Sequence, residues 1–175
     1  MYFDKFPLFV YDGRGDGELT VVTNLLKRVA MRTKVRAETL LFDTYDVKEG
    51  ESPESIAFKL YGDTEYQWIV LLFNNITDRY HQWPLTTPQF LQFVNDKYDN
   101  PNDTHHYEIN QTSGDTTVKI NIGTDNTDFP SATPITNIEY EQERQDEIRQ
   151  IRLLDPTYVE QVTDEFEKLI KQSIV

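Results

Sequence analysis

Between Tyr45 and Ile76 the apolar positions change period twice. Tyr45 and Val47 alternate with Asp46 and Lys48, the two-residue period of a strand. Ile56, Ala57, Leu60 and Tyr61 then recur at helical spacing. Trp68, Ile69, Leu71, Leu72 and Phe73 make a second helix that is apolar over most of its surface, which predicts burial on more than one side. Every joint carries a stop signal. Gly50 permits a turn. Ser52 is an N-cap with Pro53 at the first helical position. Gly62 suits the left-handed residue that closes a helix. Asp63 caps the next helix, and Asn74 and Asn75 end it. The pattern reads strand, helix, helix.

The flanking sequence extends this reading. Residues 1–17 form an N-terminal arm, with Phe6, Leu8, Phe9 and Tyr11 apolar, Pro7 interrupting them, and Asp12-Gly13-Arg14-Gly15-Asp16-Gly17 breaking any regular element. The stripe Val21, Val22, Leu25, Leu26, Val29 and Ala30 predicts a helix over Glu18–Met31. Val35–Val47 reads as extended, with a turn near Glu38 as an option. Thr77–Leu85 is an aromatic loop, and a third helix starts at Thr87 with the stripe Phe90, Leu91, Val94 and Tyr98. His106–Asn110 and Thr116–Ile122 both alternate and flank a Gly-containing turn, which predicts a β-hairpin. Gly123–Pro134 reads as a polar linker. The charged run 139–150 is either helix or extended arm, and Ile151–Leu154 is a candidate short strand. Asp155 and Pro156 then open a final helix with the stripe Tyr158, Val159, Val162, Phe166, Leu169 and Ile170. The domain reading is therefore an arm at 1–17, a helical core at 18–98, a hairpin and linker at 99–138, and a C-terminal arm with docking helix at 139–175.

Composition narrows the function. The 175 residues include 10 Phe, 10 Tyr and 2 Trp, enough for a core with aromatics left over for partner contacts. The net charge of −13 repels a phosphate backbone and disfavours an anionic membrane surface. Without cysteine there is no disulfide, no thiolate catalysis and no cysteine-ligated zinc. The opening Met-Tyr-Phe-Asp-Lys-Phe-Pro lacks a basic leader before an apolar core, so no secretory signal is expected. No apolar run approaches the roughly 20 residues that span a bilayer.

Candidate chemistry is thin. The Asp12 loop resembles a calcium loop, but Arg14 stands at its third ligand position and Thr23 where a bidentate Glu belongs. Arg14-Gly15-Asp16 reads as a turn. His105 and His106, adjacent on a strand, are expected to point to opposite faces and so not to share a metal. His81 has no carboxylate spaced for zinc. Asp63 with Glu65, and Asp43 with Asp46, are carboxylate pairs that capping and solvation explain. No nucleophile elbow, phosphate loop or dinucleotide fingerprint is present. The chain is read as a non-enzyme with no cofactor and no metal. Tyr80 and Trp83, in a polar loop, are the best aromatics for external contact.

The order of Tyr45-Asp46-Val47-Lys48-Glu49-Gly50, Ile56-Ala57, Leu60-Tyr61-Gly62 and Trp68-Ile69-Val70-Leu71-Leu72 resembles a LysM module. Leu25-Leu26-Lys27-Arg28-Val29 precedes it. Asn74-Asn75, a Tyr80-x-x-Trp83 loop and Arg149-Gln150-Ile151-Arg152-Leu153-Leu154 follow, with a terminal helix after them. In that sequence order the chain resembles the gene product 53 family of baseplate wedge subunits from T-even-type contractile-tailed bacteriophages. The resemblance implies an α+β fold: a LysM-like strand-helix-helix core, an added β-hairpin, and extended N- and C-terminal segments, the last ending in an amphipathic helix. It implies a structural virion protein in the tail baseplate, assembled in the host cytoplasm. Its partners would be the wedge core bundle, the lysozyme-like wedge protein, neighbouring wedges and hub-proximal proteins. The alternative is a peptidoglycan- or chitin-binding LysM-type module. After Asn75, however, the expected Pro-x-x-Ile strand is missing, which favours assembly over carbohydrate. The candidate partner-interface residues are Phe6, Leu8, Phe9, Tyr80, Trp83, Tyr158, Val162, Phe166, Leu169 and Ile170. The terminal stripes among them are expected to need cover from other subunits.

Overall fold

The computed structural model describes residues 2–27, 29, 41–112, 114 and 117–172. It is an α+β protein whose described residues gather into two compact units. The first draws on Met1–Asp46, Glu51–Gln82 and Ile151–Val175, the second on Val47–Gly50 and Trp83–Gln150.

The first unit begins with a 3-10 turn, Tyr2–Lys5. Strands β1 (Leu8–Tyr11) and β2 (Thr20–Thr23) follow and pair antiparallel, with Phe9 opposite Val22 and Val10 opposite Val21. The helix expected over Glu18–Met31 is therefore corrected. Thr20-Val21-Val22-Thr23 is β-branched throughout, and a strand partner lies at Leu8–Tyr11, so the ladder overrides the helical spacing of the stripe. Residues 28, 30 and 31 of that segment lie outside the described residues, as does 30–40 as a whole, which includes the start of the run read as extended.

Strand β3 (Phe42–Asp46) leads into helices α1 (Pro53–Tyr61) and α2 (Gln67–Phe73). Ser52 and Ser55 exchange capping hydrogen bonds at the start of α1. Gly62 closes it at φ 80°, its N–H donating to the Phe58 carbonyl. Asp63 accepts from the Glu65 N–H and so caps a short 3-10 turn before α2. The strand that pairs with β3 does not follow α2. It is β7 (Gln150–Leu154), which the chain reaches only after building the second unit. The Asp155 N–H donates to Leu41 and the Val47 N–H to Arg149, each at 3.0 Å, so β3 and β7 run antiparallel. Asn74 takes the place of a further strand residue beside β7. Its amide donates to the Arg152 carbonyl and accepts from the Arg152 N–H, both at 2.8 Å. A 3-10 turn, Pro156–Tyr158, capped by Asp155, then runs into the last helix, Val159–Gln172.

Residues near both ends of the chain, from Tyr2 and up to Ile170, pack into this unit. Phe6, Trp68, Ile69, Phe73, Leu154, Val159, Phe166 and Ile170 form one buried cluster, with Tyr2, Tyr61 and Val162 packed against it. The Trp68 and Phe166 rings lie 4.6 Å apart, and Tyr2 sits 5.2 Å from Phe6 and 5.5 Å from Phe166. Lys5 reaches Glu167 at 2.6 Å. The expectation that the terminal stripes await other subunits is thus corrected for Phe6, Phe166 and Ile170. Aromatic mass from both ends is what fills the space beside α2.

The second unit holds α3 (Thr87–Lys97), a three-stranded antiparallel sheet and α4 (Asn137–Arg149). The sheet places β4 (Thr104–Asn110) between β5 (Lys119–Gly123) and β6 (Thr133–Thr136). The hairpin expected at His106–Ile122 is present as the β4–β5 pair; residues 113, 115 and 116 of its turn lie outside the described residues. Thr133 and Pro134, read as linker, belong to β6, where Pro134 faces Tyr107. The charged run before β7 is helix, and the last helix of the chain is numbered α5 below.

Candidate partner-binding surface

The ten residues expected at a partner interface divide by burial. Phe6, Phe166 and Ile170 lie in the core of the first unit, and Trp83 is buried in the second. Val162 is half-buried against the first unit's core. Leu8, Phe9, Tyr80, Tyr158 and Leu169 are exposed.

Tyr80 is 84% exposed at the tip of a braced turn. The Gln82 Oε1 accepts from the N–H groups of Thr77 (2.8 Å) and Asp78 (3.0 Å). One Asp78 oxygen accepts from the Tyr80 N–H at 2.9 Å, and the other meets His81 Nδ1 at 2.6 Å. The His81 bond, then the Tyr80 N–H, hold the Asp78 carboxyl below its usual range. Arg79 pairs with Glu54 on α1. Bonds within the turn and one to α1 brace it, and its one large apolar side chain, Tyr80, faces water.

Sequence reasoning missed other exposed apolar residues. Val10, Tyr11, Leu19, Val21, Leu25 and Leu26 are all exposed. The signal was the β-branched Thr20-Val21-Val22-Thr23, which marks a strand rather than a helix face.

The second unit shows a different economy. The inward residues of α4 are polar: Asn137, Glu141 and Gln145, spaced by four. Each is satisfied. Asn137 donates to the Asn100 carbonyl, and Gln145 accepts from the Leu85 N–H. Glu141 accepts from Lys97 Nζ and the Tyr98 hydroxyl, both at 2.7 Å. Burial acts to raise the Glu141 carboxyl, but the Lys97 ammonium and Tyr98 hydroxyl outweigh it and the net displacement is downward. The Lys97 ammonium is raised in turn, chiefly by its bond to Glu141.

The two adjacent histidines converge. His105 Nδ1 lies 2.9 Å from His106 Nδ1, while His105 stacks on Tyr140 at 3.9 Å. An irregularity in the β4–β6 register between Thr104 and His106 breaks the strand alternation that would have sent them to opposite faces, which corrects that expectation. Both Nδ1 atoms are engaged with each other, and His106 Nε2 meets Glu108 Oε1 at 3.2 Å. Among the described residues no three His, Asp or Glu side chains gather as a metal site. In the Asp12 loop the carboxylate oxygens face the N–H groups of Arg14, Gly15 and Gly17, donors that occupy the positions a cation would need. No helix among the described residues is long and apolar enough to cross a membrane.

Fold and surface thus define an α+β protein with an aromatic-rich core in its first unit and large apolar side chains left outside. The chain matches base plate wedge protein 53 over residues 2–171 and belongs to that family. It is a structural protein of the phage tail baseplate. No curated protein matches it significantly.

Proposed function

We propose that this chain joins wedge subunits to one another around the central hub during tail assembly in the host cytoplasm, by protein–protein contacts and without catalysis. The partners we infer are the wedge core bundle, the lysozyme-like wedge protein, neighbouring wedges and hub-proximal proteins. The observation that carries this reading is the exposed aromatic Tyr80 on a turn that needs no further partner to hold its shape. A rigid exposed aromatic enters a partner's pocket at low entropic cost, and such anchors dominate interface energies. Leu8, Phe9, Tyr158 and Leu169 supply further exposed contact, and Val162 is half-buried against the first unit's core. A net charge of −13 favours partners with basic patches and discourages self-association. Several such contacts repeated around a ring multiply the hold by avidity.

The test is incorporation of full-length Tyr80→Ser into wedge complexes assembled without the native subunit. The variant is expected to fold with unchanged thermal midpoint and to bind about thirtyfold more weakly, the loss of a hot-spot side chain worth about 2 kcal/mol. Normal incorporation at limiting concentration would refute Tyr80 as an anchor. Failure of the unaltered chain to incorporate would refute the whole reading.

A glycan-binding role is the second reading, and the β3–α1–α2–β7 arrangement is what favours it. Against it, both tryptophans, the rings best suited to stack on sugar, are buried, Trp68 in the first unit and Trp83 in the second. Pull-down on insoluble peptidoglycan or chitin decides: retention of the chain there would support it.

A further inference from the structure

The β1–β2 ribbon has apolar side chains on both of its faces. Leu8, Val10 and Val21 occupy one face and Phe9, Tyr11 and Val22 the other, as the register requires. Leu8 is 67% exposed, Val10 57%, Val21 63%, Tyr11 54% and Phe9 37%. The ribbon is its own sheet, with no third strand among the described residues. A two-stranded hairpin with no covered face is marginal in water.

We propose that this ribbon is an insertion element that enters an apolar cleft in another baseplate protein, which covers both faces at once and meets the acidic tip with cationic side chains. The inference rests on the wedge-joining reading above and names the shape and charge of one partner site. Area decides between a cleft and a flat surface. With about 150–250 Å² for a large side chain, the exposed parts of Leu8, Val10 and Val21 come to roughly 350 Å² on one face and those of Phe9 and Tyr11 to roughly 200 Å² on the other, with Leu19, just outside the ladder, adding roughly 130 Å². One face is no more than an ordinary surface patch. Both together approach the ~800 Å² that each partner contributes to a standard interface.

The ribbon is shaped for this use at both ends. The Asn24 N–H donates to the Pro7 carbonyl at 2.8 Å and closes the stem, one residue beyond the buried Phe6. At the tip, Asp12 gathers the N–H groups of Arg14, Gly15 and Gly17. The tip carries Asp12, Asp16 and Glu18 against Arg14 alone, so the end of the cleft that receives it must be cationic.

The probe is wedge complexes assembled without this subunit, mixed with the full chain. Photo-crosslinking residues placed singly at positions 10 and 11, on opposite faces, are expected to label two different walls of one partner. Amides of Leu8–Tyr11 are expected to exchange about 100-fold more slowly in the complex than in the free chain. Val10→Ser with Val21→Ser, and separately Phe9→Ser with Tyr11→Ser, should each weaken incorporation at least about tenfold and leave the free chain's thermal midpoint unchanged. Labelling from one face only, adducts within this chain or between its copies, or normal incorporation of either double variant would overturn the inference. An unaltered chain that incorporates with its ribbon unprotected sinks this inference alone. One that does not incorporate at all sinks the wedge-joining reading with it.

Discussion

Phe166→Ala should unfold the first unit far more easily than its position near the chain end suggests. The ring is buried against Trp68 at 4.6 Å, Tyr2 at 5.5 Å and Phe6 at 6.3 Å. A buried Phe removes about 200 Å² from water, worth about 5 kcal/mol as an upper bound. Compactness of the unfolded chain and the methyl retained by Ala reduce this to about 3–4 kcal/mol, in line with the usual cost of such truncations. The assay is urea unfolding followed by tryptophan emission. The chain has two tryptophans, one in each unit, so a Trp83→Phe background leaves Trp68 as reporter of the first unit. Leu169→Ala, on the exposed side of α5, serves as control and should change stability by no more than about 0.5 kcal/mol. Ending the chain after Leu154 removes Val159, Phe166 and Ile170 together and should abolish the cooperative Trp68 transition. A cost below about 1 kcal/mol for Phe166→Ala, or a cooperative transition in the shortened chain, would refute the claim that the last helix is core.

Three further outcomes are expected. Glu141→Gln should cost the second unit about 1–3 kcal/mol at neutral pH, since it breaks two charge-assisted bonds whose Lys97 end is partly in water. Because the Glu141 carboxyl is held down in the fold, its contribution is present above the ordinary carboxylate range and fades as pH falls through the lowered folded value; the Gln variant should flatten that acid limb in pH-dependent urea unfolding. Burial, then the neighbouring His106, depress His105, so the unfolded state takes up its proton first and the second unit should weaken as pH drops below about 6.5; His105→Gln should reduce this slope in the same titration. Asn74→Ala removes both bonds to the Arg152 backbone and should cost about 1–2 kcal/mol in the Trp68-reported transition; no measurable change would mean that β7 does not need this edge.

Local signals were legible wherever an element is specified by its own residues. Ser52, Pro53 and Gly62 announce α1 and play the parts their chemistry predicts, while Asp63 caps the 3-10 turn that leads into α2 rather than α2 itself. What the sequence hides is non-local. No window contains both β3 and β7, so their pairing has no local trace. The terminal stripes were visible, but not what they cover, because Phe6 and Phe166 meet across most of the chain. The β1–β2 ribbon was misread since Val21, Val22, Leu25 and Leu26 satisfy a helical spacing by coincidence while their β-branched members prefer the ladder. The α4 helix was ambiguous for another reason: its inward face is Asn137, Glu141 and Gln145, so a search for an apolar stripe has nothing to find. Of the interface candidates, Leu8, Phe9, Tyr80, Tyr158 and Leu169 lie outside, Phe6, Phe166 and Ile170 are in the first unit's core, and Trp83, although in a loop, is buried in the second unit.

The late arrival of β7 has a consequence for synthesis. A ribosome releases residues 2–73 long before Leu154, Phe166 and Ile170 exist, so the N-terminal half must wait unfinished, with Trp68 and Phe73 uncovered. The second unit, drawn from Val47–Gly50 and Trp83–Gln150, is complete before the last helix and can close first. A message cut short anywhere before the last helix would therefore yield a product with its greasiest surface open, fit for proteolysis rather than for building a tail.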